Sequence, residues 1–209
     1  MPAKNEREYR NMIIEVKDAS DERDIVEGYA TTFNSPYVLY KDADVEISEQ
    51  VDRHAFDDAD MDDVIMQYDH QGRVFARKSN NTLTVMPDDT GLLINADLGG
   101  TTIGRQLYEE IKGGYTNKMS FGFKVADDDW DDEKGEDGVI RSLRTILKIE
   151  KLYDVSAVSL PANDQTSISA RNISDGAIKR LKAERLEAQR KAALAELEER
   201  VKKLKEIES

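Results

Sequence analysis

Beyond Ser174 the chain loses its punctuation. Ser174–Ile207 holds no proline and, after Gly176, no glycine; Ala, Leu, Glu, Lys and Arg dominate it. These are strong helix formers, and Ser174 or Asp175 can cap the start. One helix over this stretch would be about 50 Å long, too long to lie wholly on a small domain. Leu194, Leu197, Val201 and Leu204 recur at 3, 4, 3 spacing, a short heptad seam. The segment is expected to be a long helix that takes a partner as a coiled coil. The alternative is a charged tail that solvates itself.

Charge marks the same boundary. Residues Asn172–Ser209 carry ten Lys/Arg and eight Asp/Glu, a net of +2, whereas residues 1–171 carry 20 basic and 35 acidic residues, a net of −15. The expected division is a body over 1–171 and a helical extension over 172–209.

The body reads as β-rich. Met12–Val16 and Ile25–Phe33 are rich in β-branched and aromatic residues, and Val64–Tyr68 is a short apolar run. Thr82–Met86 and Leu92–Leu98 flank the turn signal Pro87-Asp88-Asp89-Thr90-Gly91 and should form a hairpin. Lys118–Ala126 and Val139–Leu160 hold further strands. Between them, Asp127–Gly138 has eight acids and one Lys, and is expected to be a solvated loop. It fails the EF-hand pattern, because the sixth and twelfth positions are Asp132 and Gly138 rather than Gly and Glu. One helix stands out. Thr101 or Thr102 caps it, Ile103, Leu107 and Ile111 share a face, and Gly113-Gly114 ends it. A short helical piece is also expected around Arg53–Ala59. The fold class is α+β and β-rich, with a barrel flanked by helices as the expected architecture and the long C-terminal helix added.

Composition narrows the chemistry. With no cysteine and two histidines, thiol nucleophiles, disulfides, iron–sulfur clusters and Cys-ligated zinc are excluded. A net charge of −13 argues against generic nucleic-acid binding. No apolar run approaches the roughly 18 residues that span a bilayer. The charged start MPAKNEREYR lacks a secretory core, so a soluble, cytosolic protein is expected.

Nucleophilic catalysis then needs Ser or Thr with a histidine base. His70 follows the apolar run Val64–Tyr68, where a strand could hold it at a cleft, whereas His54 lies among charges and reads as surface. In Lys118-Met119-Ser120-Phe121-Gly122-Phe123, alternation puts three bulky residues on one strand face and Ser120 and Gly122 on the other. Gly122 would leave room for a substrate backbone. The structural alternative is a half-buried strand whose small face packs on a helix. Asp154 is an acid inside the apolar strand Leu152–Leu160. Such a carboxylate needs a partner, either a histidine or a neighbouring Lys148, Lys151 or Arg144.

Taken in order, Asp69-His70, then Met119-Ser120-Phe121-Gly122-Phe123, then Leu152-Tyr153-Asp154-Val155-Ser156 followed by Pro161-Ala162-Asn163, resemble the prohead (procapsid maturation) proteases of tailed bacteriophages. Glu27-Gly28-Tyr29-Ala30 with Phe33-Asn34-Ser35 looks like that family's opening strand. Ala55-Phe56-Asp57 looks like its Gly-Ala-Phe segment, with His54 replacing the Gly. The resemblance covers Ile25–Ser169, about 70% of the chain. It implies a serine endopeptidase with a fold similar to the herpesvirus assembly protease. It implies Ser120 as nucleophile, His70 as general base and Asp154 as the third member, where the family usually has Glu. Asp69, in place of an Asn before the histidine, is an alternative for orienting the ring.

The resemblance further implies no metal or organic cofactor. It implies substrates in the major capsid protein or scaffold and in the protease itself, and a location in the host cytoplasm and the prohead interior. A homo-oligomer or a partner for the C-terminal helix is expected, and neither nucleic acid nor membrane. Two other functions compete. One is a noncatalytic assembly protein with a coiled-coil tail. The other is a calcium-binding domain centred on Asp127–Gly138.

Overall fold

Two long strands carry the architecture. The structure, a computed structural model, describes residues 7–13, 24–159, 176–188, 190–191 and 193–195. In chain order the elements are β1 (Glu8–Ile13), β2 (Ile25–Thr32), β3 (Tyr37–Lys41), β4 (Val45–Val51), β5 (Ile65–Tyr68), β6 (Gln71–Arg77), β7 (Leu83–Pro87), β8 (Gly91–Asp97), α1 (Thr102–Lys112), β9 (Lys118–Lys134) and β10 (Ile140–Val158). A second helical segment, α2, is described over 176–188.

β9 and β10 form a long antiparallel hairpin, and β1 adds antiparallel to the free edge of β9. The other edge of β10 is shared. Its first half pairs in parallel with β4 and its last turns, Asp154–Ala157, pair in parallel with Ile65–Tyr68 of β5. Register shifts between Ile146 and Asp154 re-aim the strand between these two partners, as bulges do. With β3 on β4 and β6 on β5, this makes a seven-stranded sheet; β2, β8 and β7 form a second, three-stranded sheet.

Among the described residues these two sheets do not close into the expected barrel. They meet through an isolated bridge, Phe33 to Val51, rather than a continuous ladder. The β-rich α+β class stands. A core of Ile94, Leu98, Phe121, Phe123, Leu152 and their neighbours fills the space between the sheets. α1 closes one side with Leu107, Tyr108 and Ile111. Thr101 caps α1 by accepting a hydrogen bond from the Gly104 amide, as its sequence suggests.

Two local expectations change. Asp127–Lys134 is not a loop but the second half of β9, and the turn is confined to the residues around Gly135–Gly138. Strand pairing places Arg144 against Trp130, and Arg144 Nε donates to Asp128 Oδ2 at 2.6 Å. Asp132 accepts from Ser142 and from Arg180 of α2. Asp128 and Asp132 thus find partners across the ladder and on α2, which helps a charged sequence hold strand geometry. Arg53–Ala59 is a run of turns rather than a helix, with Ala55, Asp57 and Ala59 amides each bonding three residues back.

α2 docks on the acidic end of the sheet. Leu181 is 1% exposed and packs with Leu39, Val45 and Ile47. Around it Lys182 bridges to Asp42 at 2.9 Å, Arg180 to Asp132 at 2.8 Å, and Arg185 to Asp44. The basic extension and acidic body thus meet within one chain. The boundary near 172 and most of the seam from Leu194 to Leu204 lie outside the described residues. No helix among those described is long and apolar enough to cross a membrane.

Candidate active site

β9 alternates as its sequence requires. Met119, Phe121 and Phe123 enter the core, with the Phe121 and Phe123 rings stacked at 4.5 Å. Ser120 and Gly122 therefore face the opposite side. The cross-strand partner of Gly122 is Asp154 of β10. A Cβ at Gly122 would lie 2.5 Å from Asp154 Oδ2, 2.8 Å from Tyr9 Cε1 and 2.9 Å from Arg7 Nε. The space expected for a substrate backbone is thus filled by a carboxylate and by the N-terminal strand.

His70 enters from a tight turn. Tyr68 and Gln71 pair at the end of the β5–β6 hairpin, leaving Asp69 and His70 as its two central residues. Both have positive φ, 49° and 59°, the left-handed conformation that two-residue hairpin turns demand. Asp and His tolerate it better than most non-glycine residues. Asp69 fixes the turn to the end of β10. Its carboxylate accepts from the amide and the hydroxyl of Ser159, both at 2.9 Å, and its amide donates to the Ala157 carbonyl. With those oxygens on Ser159, it is Asp154 that meets the imidazole.

The three side chains converge. His70 Nε2 lies 2.5 Å from Ser120 Oγ, and His70 Nδ1 lies 2.6 Å from Asp154 Oδ1. An ionised carboxylate only accepts hydrogen bonds, so it selects the tautomer with hydrogen on Nδ1 and turns the Nε2 lone pair toward the hydroxyl. Burial would raise the Asp154 carboxyl. The hydrogen bond and charge of His70, the Ser156 hydroxyl at 2.7 Å and the Arg7 guanidinium outweigh it and hold the group below its ordinary range. Ser120 and Asp154 are fully buried, and the His70 side chain is 17% exposed. An imidazole held between hydroxyl and carboxylate can take a hydroxyl proton at one nitrogen while the acid steadies the other.

His54 lies elsewhere, an exposed ring 3.0 Å from Asp57 Oδ2. Arg105, a weak candidate for stabilising an oxyanion from its place after Gly104, donates to the Gly99 carbonyl instead. Sequence reasoning passed over Ser156, Arg7 and Tyr9. Ser156 stands two residues after Asp154, hence on the same strand face, and could have been found. Arg7 and Tyr9 reach the site only through the pairing of β1 with β9. A cavity of about 540 Å³ borders the His70 turn, between Tyr68, Asp69 and Gln71 on one wall and Ile103, Leu107 and Glu110 on the other. None of Ser120, His70 and Asp154 lines it. No cluster of three or more metal-ligating side chains occurs among the described residues.

Among known families, that of the caudovirus prohead serine proteases matches residues 10–180. No curated protein and no solved structure matches the chain.

Proposed function

The chain belongs to the caudovirus prohead serine protease family, and from that premise we propose that it is a prohead maturation endopeptidase in which Ser120 is the nucleophile, His70 the general base and Asp154 the orienting acid. The observation that carries this reading is the His70 ring, 2.5 Å from the hydroxyl on one side and 2.6 Å from the carboxylate on the other.

The chemistry is acyl transfer. Ser120 Oγ attacks a peptide carbonyl carbon as its proton passes to His70 Nε2, giving a tetrahedral intermediate. That proton then goes to the departing amine as the C–N bond breaks, leaving an ester on Ser120. Water, deprotonated by His70, attacks the ester and releases the acid, and Ser120 recovers its proton. Asp154 keeps its charge throughout and stabilises the imidazolium. Aspartate here is one methylene shorter than the family's usual Glu. The pairing of Asp154 with Gly122 supplies the closer approach that the shorter side chain needs.

The substrates are the scaffold segment or extension of the major capsid protein and the protease itself, in the host cytoplasm and inside the prohead. Residues 1–171 are the catalytic body and 172–209 the extension. The first turns of α2 belong to the body's surface, while Leu186 and Leu194, 50% and 60% exposed, begin a face for a partner helix or a second copy. Co-expression with a capsid precursor tests the assignment. Ser120→Ala is expected to lower the cleavage rate by about 10³-fold or more. Cleavage at the wild-type rate would transfer the chemistry to another residue or leave the chain an assembly factor.

A further inference from the structure

β1 and the residue before it touch every member of the Ser120–His70–Asp154 set. The Ser120 hydroxyl lies 2.8 Å from the backbone carbonyl oxygen of Arg10 and donates to it. The Tyr9 ring packs edge-on against His70 at 4.3 Å. The Arg7 guanidinium pairs with Asp154 Oδ2, leaving Oδ1 to His70. Tyr9 and Arg10 of β1, with Arg7 just before it, thus meet three residues drawn from β9, the β5–β6 turn and β10.

This contact is incompatible with turnover. A hydroxyl has a single proton, so the Arg10 carbonyl at 2.8 Å competes for it with His70 Nε2 at 2.5 Å. Ser120 is 0% exposed, so no second carbonyl can reach its oxygen while β1 is in place. The strand lies antiparallel on the β9 edge, with Asn11 opposite Ser120 and Tyr9 opposite Gly122. An extended peptide adds to an exposed sheet edge in this manner, with main-chain bonds for affinity and side-chain pockets for choice.

The Arg10 side chain fills such a pocket. Its Nε and Nη2 donate to Glu49 at 2.5 and 2.7 Å, and its guanidinium stands over the Phe123 ring at 5.6 Å. Tyr37 donates to the same carboxylate at 2.5 Å. Charges balance on each side of the seam. β1 brings Glu8 and Arg10, and the body brings Glu49 and Arg144, all four buried. The 2.8 Å bonds from Arg144 Nη1 to Glu49 and to Glu8 show that the body's own pair is already joined. If Glu8 and Arg10 leave, the Glu49–Arg144 pair remains neutral, while Asp154 gives up Arg7 and keeps the His70 ring and the Ser156 hydroxyl.

We propose that the β9 edge beside Ser120 is the peptide-binding groove, that β1 fills it as an internal occupant and keeps the enzyme latent, and that the Glu49 pocket selects substrates with a basic side chain on the acyl side of the cut bond. The proposal rests on Ser120 being the nucleophile. Substrate must displace β1, and the residue whose carbonyl meets Ser120 then places Arg or Lys against Glu49.

The test uses the full chain, which has no cysteine of its own. Met12 and Met119 are register partners in the β1–β9 ladder, and facing positions on paired strands come within reach of a disulfide. Met12→Cys combined with Met119→Cys allows β1 to be locked and released in one protein. Labelling by a fluorophosphonate, which reacts with an activated serine, is expected to run at least about tenfold slower in the oxidised form than after reduction. Equal, measurable rates would overturn the latent strand and leave Ser120 as a nucleophile. A pair that cannot be oxidised would overturn the register on which the groove depends. No labelling in either state or in the wild type would count against the serine itself. In a second arm, aminophosphonate esters bearing a guanidinium or a carboxylate side chain compete for the released form. Faster reaction of the guanidinium probe is expected; equal or slower reaction would overturn the pocket.

Discussion

Asp154 and Glu49 are both fully buried carboxylates, yet their surroundings differ in kind. Burial would raise Glu49, but Arg10 and Arg144 bring it down to about 2. Its partners are permanently charged guanidiniums, which suits a strut between β1, β4 and β10. Asp154 has one guanidinium, from Arg7, while its other oxygen takes the His70 ring and the Ser156 hydroxyl. Imidazole can gain and lose a proton near neutral pH. A buried acid surrounded by fixed charge holds a fold together; one that faces a titratable ring can take part in proton transfer.

Substitution should separate the two. Asp154→Asn is expected to lower activity by about 10⁴-fold while the chain stays folded, because the amide no longer fixes the tautomer; rates on a capsid precursor and a thermal melt would read both. Glu49→Gln should lose about 3–5 kcal/mol in urea titration because two guanidiniums lose their counter-charge, and should weaken the choice of a basic side chain without touching the proton transfer at His70. If Glu49→Gln instead left stability intact, the buried ion pairs would not be what holds β1, β4 and β10 together.

Tightness around Asp154 gives a smaller effect. Gly122→Ala would place its Cβ 2.5 Å from Asp154 Oδ2. It is expected to cost about 1–3 kcal/mol from overpacking and to lower the rate by moving the acid. Ser156→Ala, removing one neutral donor, should cost about 0.5–1.5 kcal/mol. An effect larger than that of Gly122→Ala would mean that the Ser156 hydroxyl matters more to Asp154 than the room at Gly122 does.

Acid separates them in order. A histidine base must be neutral to accept the Ser120 proton, so activity should fall in acid; a rate independent of pH would contradict a histidine base. Stability should outlast it. Glu49 is lowered from 4.5 to about 2 in the folded chain, so it binds fewer protons folded than unfolded. Its contribution is full above about pH 4.5 and is lost as pH falls toward about 2. Asp154, also lowered, adds in the same direction. Melting temperature against pH checks the sign.

Much of the site was legible because composition left few candidates. Two histidines and no cysteine reduced the base almost to His70, and strict alternation around Ser120 told its face from the core face. α1 was equally clear, since its cap, apolar spacing and terminal glycines agree. What stayed hidden depends on partners distant in sequence. Glu8 and Arg10 look like surface residues until β1 meets Glu49 and Arg144. Asp128 and Asp132 look like a solvated loop until β10 and α2 bring arginines to them. Among the described residues, β10 divides one edge between β4 and β5, a pairing that no single segment records.

The most direct test is to treat the full chain with a fluorophosphonate and locate the adduct by peptide mass mapping. The account requires it on Ser120, formed in the wild type as β1 is displaced and lost when His70 is changed to Ala. An adduct confined to another residue, or unchanged labelling of Ser120 without His70, would contradict it.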